Sequence, residues 1–182
     1  MNSPRIPISS ITARWNFSDQ AVDLVIDERL VIDMVDPQRQ WGVSPFARRF
    51  SRGAVRRWLA DYRGEDGGRD ARLADDELEI AVCAACGDLD CGNLAVEVER
   101  LDDTVIWKRP HWAGDVEENE DPAAGDPESL LPQVLVFSRA EYVAALMDVE
   151  RFIARPRWYR ETPEAAGLLG RLRNRYVRMW RK

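Results

Sequence analysis

Residues 78–112, LEIAVCAACGDLDCGNLAVEVERLDDTVIWKRPHW, decide the fold and contain all three cysteines and the single histidine of the chain. Apolar and polar residues alternate along Leu78–Val82, Leu94–Val98 and Val105–Trp107, which is the period of half-buried β-strands. Pro110 is expected to end the third strand, because proline cannot donate a hydrogen bond to a neighbouring strand. The stretch therefore predicts a three-stranded meander with the cysteines in its first turn.

The same reasoning predicts strands on either side of the meander. Ile11–Phe17 alternates, Ala21–Ile26 and Leu30–Val35 are rich in valine and isoleucine around a polar triplet, and Val134–Phe137 is a short apolar run. These patterns predict an N-terminal hairpin region and one late strand.

Three helices are predicted from their start signals. Ser51 can cap a helix that ends near Arg63, and Ser138 with Glu141 fits a capping box that opens a helix to about Ala154. Thr162-Pro163 begins a last helix, over residues 163–180. The fold class is therefore α+β: a mostly antiparallel sheet of about six or seven strands, a helix after the hairpin region and two C-terminal helices. Residues 1–154 are expected to form one domain, and residues 155–182 a basic helical appendage.

Charge is divided unevenly along the chain. The net charge is −6, yet residues 155–182 carry nine basic and two acidic residues, a net of +7 against −13 for the remainder. Such asymmetry predicts a basic segment that contacts an anionic partner, a protein or a nucleic acid, or that packs on the acidic body of its own chain. The residues expected at this interaction surface are Arg171, Arg175, Arg178, Trp158 and Trp180.

The cysteines form a candidate metal site. Cys83-x-x-Cys86-Gly87 has the spacing of a zinc knuckle, and Cys91 and His111 can complete a Cys₃His set if the third strand returns to the cysteine end. Two alternatives stay open at this point. The cysteines can be small buried apolar side chains of a reduced turn, or Cys83 and Cys86 can be a redox pair.

Three motifs occur together, and they carry a resemblance. They are Cys83-Ala84-Ala85-Cys86-Gly87 with Cys91-Gly92, then Thr104-Val105-Ile106-Trp107 with Pro110-His111, then Val136-Phe137-Ser138-Arg139-Ala140-Glu141-Tyr142. This order over residues 78–146 resembles a group of uncharacterised bacterial proteins frequent in actinobacteria. Members often have one residue between the first two cysteines, where this chain has two, and a Trp-Pro step after the third cysteine. The resemblance implies no activity.

Several function classes lack their signatures in this sequence. It contains no phosphate-binding glycine loop, no nucleophile elbow, no apolar run long enough to span a bilayer and no secretory leader pattern, so a cytoplasmic location is expected. The leading interpretation is a non-enzymatic binding or interaction protein, for example immunity-like, that acts through charged surfaces on a protein partner. The alternatives are a small metalloprotein with a structural zinc at the cysteine turn and a thiol-dependent enzyme.

Overall fold

The computed structural model describes residues 6–65, 68, 70–113 and 131–155. The strands of this part are β1 (Ile8–Ser9), β2 (Ile11–Asn16), β3 (Ala21–Ile26), β4 (Arg29–Leu30), β5 (Gly42–Val43), β6 (Glu77–Cys83), β7 (Asn93–Arg100), β8 (Thr104–Ala113) and β9 (Val134–Ser138). The helices are α1 (Val31–Val35), α2 (Arg52–Arg63) and α3 (Arg139–Ile153). None of the helices in these ranges is long and apolar enough to cross a membrane.

The strands form two sheets, and the predicted meander is the centre of the larger one. Its order is β1-β9-β8-β7-β6-β5, with β1 parallel to β9 and every other pair antiparallel. The smaller sheet has the order β2-β3-β4 and is antiparallel throughout. The α+β prediction is confirmed, although the N-terminal strands form a sheet of their own.

The predicted strand at Leu30–Val35 is wrong. In this stretch only β4 pairs with β3, and the residues after it form the helix α1. Val31, Ile32 and Val35 are all buried, so core packing outweighs the modest preference of β-branched residues for strands. Periodicity cannot separate a short buried strand from a short buried helix, because both present a continuous apolar run.

Pro110 does not end the third strand, which continues to Ala113. β7 and β8 pair Ala95 with His111, but the next pair is Glu97 with Lys108, so two residues of β8 face one residue of β7. This is a β-bulge, and Arg109 within it has a φ of 49°. A proline is tolerated at a bulge, since the ladder is interrupted there in any case.

The two longer helices begin where the sequence predicts. The Ser51 hydroxyl accepts a hydrogen bond from the Ala54 amide, 3.2 Å away, and caps α2. Ser138 is the N-cap residue of α3, but its side chain makes no capping hydrogen bond, so the capping box is not formed. Instead the Arg139 amide donates to the carbonyl of Asp103, in the turn between β7 and β8.

A single large apolar core joins both sheets and all three helices. Its centre is aromatic: the Trp107 ring is 5.2 Å from Phe137 and 6.2 Å from both Tyr62 and Tyr142, centroid to centroid. These residues come from β8, β9, α2 and α3, so the aromatic cluster fixes both helices on the sheet. The cysteine turn therefore extends from strands whose positions are set by a packed core.

Candidate metal centre

Three neighbouring elements position the three cysteines. Cys83 is the last residue of β6, where it is paired with Gly42 of β5. Cys86 lies in the tight turn that follows, which closes through the Gly87 amide and the Cys83 carbonyl, 2.9 Å apart. Cys91 ends a single 3-10 turn, Leu89–Cys91, just before β7. The hairpin between β6 and β7 thus folds back so that all three thiols lie at one end of the sheet.

The three sulfurs form one group. Their Sγ atoms all lie within 4.8 Å of one another, and the Cys86 and Cys91 sulfurs are 3.3 Å apart. A tetrahedral zinc ion with Zn–S bonds of about 2.3 Å places its sulfur ligands about 3.8 Å apart. The three free thiols are therefore near the separation that one ion requires.

Hydrogen bonds and charge at the turn separate the thiol pKa values. Burial acts to raise the pKa of Cys83, but the backbone amides of Cys86 and Ala85 and the neighbouring thiols lower it overall. The neighbouring Cys86 and Cys83 sulfurs raise the pKa of Cys91 to about 12. Amides that point at a sulfur favour the thiolate, which is the form that binds a metal.

The acidic residues of the turn are themselves held in place. The Asp88 side chain accepts from the Asp90 amide and caps the 3-10 turn. Arg72 forms ion pairs with Asp70, Asp88 and Asp90, and so ties the preceding loop to the cysteine turn. The pKa of Asp88 is lowered most by the hydrogen bond from the Asp90 amide, and also by the hydrogen bond from Arg72. The arginine offsets carboxylate charge that would otherwise oppose thiolate formation nearby.

A buried polar network lies directly beneath the site. Asn93 is fully buried; its Oδ1 accepts from the Cys83 amide at 2.9 Å, and its Nδ2 donates to Glu79 Oε1 at 2.5 Å. The Trp58 indole donates to the other Glu79 oxygen at 2.7 Å. Burial raises the pKa of Glu79, and the two donated hydrogen bonds oppose that effect. The network connects α2 to the backbone of the first cysteine.

Gly87 allows the turn to pack against α2. Its φ is +70°, and a Cβ placed on it would lie 2.9 Å from Phe50 Cε1 and 3.1 Å from a Trp58 ring carbon. Both the backbone conformation and the close approach therefore require glycine. A cavity of about 380 Å³ opens beside this contact, with Cys86, Arg57 and Glu79 among the residues that line it.

The structure places His111 in other contacts. Its Nε2 lies 2.8 Å from Glu77 Oε1, and its Nδ1 lies 2.8 Å from the Arg109 carbonyl oxygen. The group of close ligand atoms at the turn consists of the three cysteines without it. His111 is paired with Ala95, two residues along β7 from Asn93, on the strand that carries the bulge. The structure thus brings together three of the four residues predicted for the metal site.

The residues predicted for the interaction surface, Arg171, Arg175, Arg178, Trp158 and Trp180, lie outside the described residues, as does the predicted helix over 163–180. Their role, the division between residues 1–154 and 155–182, and the protein or nucleic-acid partner stay predictions.

The sequence did not predict the role of the two buried residues beneath the cysteine turn, Glu79 and Asn93. Glu79 alternates with apolar neighbours in β6, a pattern typical of a solvent-facing side chain, but α2 covers that face as well. Asn93 follows Cys91-Gly92 and looks like an ordinary turn residue. Every residue from Leu78 to Val82 is buried, and this burial becomes visible only in the packed structure.

Comparison of the chain with protein-family models, with curated proteins and with solved structures finds no match. The resemblance to the actinobacterial group therefore stays a prediction, and the case for a function rests on the geometry of the cysteine turn.

Proposed function

We propose that this protein binds a thiophilic metal ion, zinc, through Cys83, Cys86 and Cys91, and that the ion fixes the turn between β6 and β7. One observation carries the proposal: the three Sγ atoms lie within 4.8 Å of one another. Sulfur ligands favour zinc or copper(I) over magnesium or calcium, which prefer oxygen. A structural role agrees with a turn that contains no strand pairing of its own.

The surroundings of the sulfurs support the proposal. A metal site needs ligands that are deprotonated and oriented, and residues outside the ligand set usually supply the orientation. Here hydrogen bonds from the backbone amides of Cys86 and Ala85 lower the pKa of the Cys83 thiol. The Asp88 amide donates to the Cys86 sulfur at 3.4 Å. Asn93 holds the backbone of Cys83 from below. These contacts hold Cys83 and Cys86 in the turn where the three sulfurs lie within 4.8 Å of one another.

A tetrahedral ion requires a fourth ligand. Within the described ranges, no His, Asp or Glu joins the three cysteines as a close ligand atom. Cys86 and Cys91 are exposed, so water can reach an ion bound between them. Structural zinc usually has four protein ligands and catalytic zinc has three with one water, so three cysteines with a bound water would leave the ion accessible to other molecules.

The test is the metal content of protein purified in reducing buffer without chelators. We expect about one zinc per chain in the wild type and in His111→Ala, because the histidine ring has other partners. A competing chromogenic chelator should remove zinc from each cysteine variant at a lower concentration than from the wild type. The variants are Cys83→Ser, Cys86→Ser and Cys91→Ser. Wild-type protein that binds no zinc with its thiols reduced would end the proposal, and loss of zinc only in His111→Ala would show that the ligand set is wrong.

A further inference from the structure

Two of the three thiols are closer to each other than a shared metal requires. The Cys86 and Cys91 sulfurs are 3.3 Å apart, whereas sulfur ligands of one zinc ion are about 3.8 Å apart. Both residues are exposed, while Cys83 is half-buried. A disulfide bond has a length of about 2.05 Å, so a movement of little more than 1 Å would join the pair.

We propose that Cys86 and Cys91 form an oxidisable pair, which hydrogen peroxide converts into a disulfide. One thiol attacks the peroxide O–O bond, which gives a sulfenic acid and one water. The other thiol then attacks that sulfur, forms the S–S bond and releases the second water. Two electrons pass from the sulfurs to the peroxide, and both thiol protons end in water.

The backbone explains why this pair should react together and leave Cys83 out. Cys83 is the last residue of β6, paired with Gly42 on one side, and its amide donates to Asn93 on the other. Cys86 lies in a turn and Cys91 ends a 3-10 turn, so neither belongs to a strand ladder. The small shift needed for bond formation therefore disturbs fewer hydrogen bonds at Cys86 and Cys91 than at Cys83.

Oxidation would also control the metal, a consequence that rests on the proposed function. A disulfide sulfur is no longer a thiolate ligand, so only Cys83 would be left to hold the ion. Bound zinc and the disulfide thus exclude each other: zinc should protect the thiols, and oxidation should release zinc. The turn would then act as a redox-sensitive metal site.

The experiment begins with metal-free, reduced full-length protein treated with hydrogen peroxide, followed by alkylation of the remaining thiols. Titration should show that free thiols fall from three per chain to one. Trypsin leaves all three cysteines in one peptide, residues 73–100, but cleavage before Asp88 and Asp90 separates Cys91 from the other two. Mass spectrometry should then find the Cys91 peptide linked to the peptide with Cys83 and Cys86, with the alkyl group on Cys83.

The variant Cys83→Ser tests the pairing without mapping of the alkyl group. Its two remaining thiols should both be lost to one disulfide within the chain. Cys86→Ser and Cys91→Ser should form no such bond under the same treatment. A wild-type disulfide that includes Cys83, or two thiols that persist in Cys83→Ser, would overturn the proposal. The wild-type mapping decides the question even if a variant does not fold.

Zinc separates this proposal from the proposed function. If the protein binds zinc, loaded protein should lose thiols more slowly than metal-free protein and release one zinc per disulfide formed. If it binds none, the proposed function fails, while the mapping in metal-free protein still tests the Cys86–Cys91 pair. Zinc binding without a Cys86–Cys91 disulfide would contradict the redox proposal and leave the metal proposal standing.

Discussion

The substitution Asn93→Asp tests the buried network beneath the cysteine turn. Asn93 Nδ2 donates to Glu79 Oε1 at 2.5 Å, so an aspartate at position 93 would place two carboxyl groups within hydrogen-bonding distance. At that separation two negative charges repel by about 7 kcal/mol at an effective dielectric constant near 20. The pair should therefore keep one proton, and that proton should form the hydrogen bond that the amide now makes.

The magnitude follows from the cost of holding that proton. A carboxyl group titrates near pH 4 in the unfolded chain, and each pH unit above that value costs about 1.4 kcal/mol in a folded state that stays protonated. The destabilisation should be about 5 kcal/mol at pH 7.5 and about 1 kcal/mol at pH 5. The folded pKa of the pair is raised, so stability is present at low pH and is lost as the pH rises.

The assay is urea unfolding followed by tryptophan fluorescence at pH 5 and pH 7.5, with a chelator present to exclude metal. The matched control is the exchange Glu79→Gln/Asn93→Asp, in which the glutamine amide can donate to the new carboxylate and its oxygen can still accept from Trp58. We expect the double variant to recover most of the lost stability at pH 7.5 and to lose the pH dependence. Equal stability of Asn93→Asp and wild type at pH 7.5, or a double variant no better than the single one, would refute the assigned network.

Three further predictions concern other parts of the fold. Gly87→Ala should destabilise the protein by about 2–4 kcal/mol in urea unfolding, because it combines a left-handed φ with a steric clash. Gly68→Ala should cost only the conformational part, about 1–2 kcal/mol, because nothing lies within 4 Å of its Cβ position. Equal losses of stability in the two variants would contradict the close packing described at Gly87. Burial raises the pKa of Asp23 to about 6, so the wild type should lose about 2 kcal/mol relative to Asp23→Asn as the pH rises from 4 to 7, and parallel stability–pH curves would show that the assignment is wrong. Leu146→Ala should cost about 2–5 kcal/mol, because this α3 side chain is 2% exposed; a change below 1 kcal/mol would mean that α3 is not packed as described.

The sequence predicted those parts of the fold that local chemistry controls. Alternation gave the three meander strands, and Ser51 marked the start of α2 because a capping hydroxyl acts within its own first turn. The cysteine cluster was predictable for the same reason, since Cys83 and Cys86 are joined by one tight turn. The short distance to Cys91 follows from the 3-10 turn that returns the chain to β7.

The errors arose where long-range packing decides the outcome. The helix α1 forms in a β-branched run because the core buries it, and Pro110 stays within β8 because the bulge needs no amide at that point. Packing of α2 over β6 turns Glu79 from an apparently exposed residue into a buried acceptor. The contact of His111 with Glu77 depends on the register after the bulge, which periodicity does not encode.

The most direct test of the central claim is X-ray absorption at the zinc edge on reduced protein loaded with one equivalent of zinc. The proposed site predicts three sulfur neighbours at about 2.3 Å and one lighter oxygen or nitrogen neighbour at about 2.0–2.1 Å. Cys91→Ser should show one sulfur fewer. Zinc surrounded by oxygen and nitrogen alone, or zinc that fails to bind while all three thiols are reduced, would contradict the account.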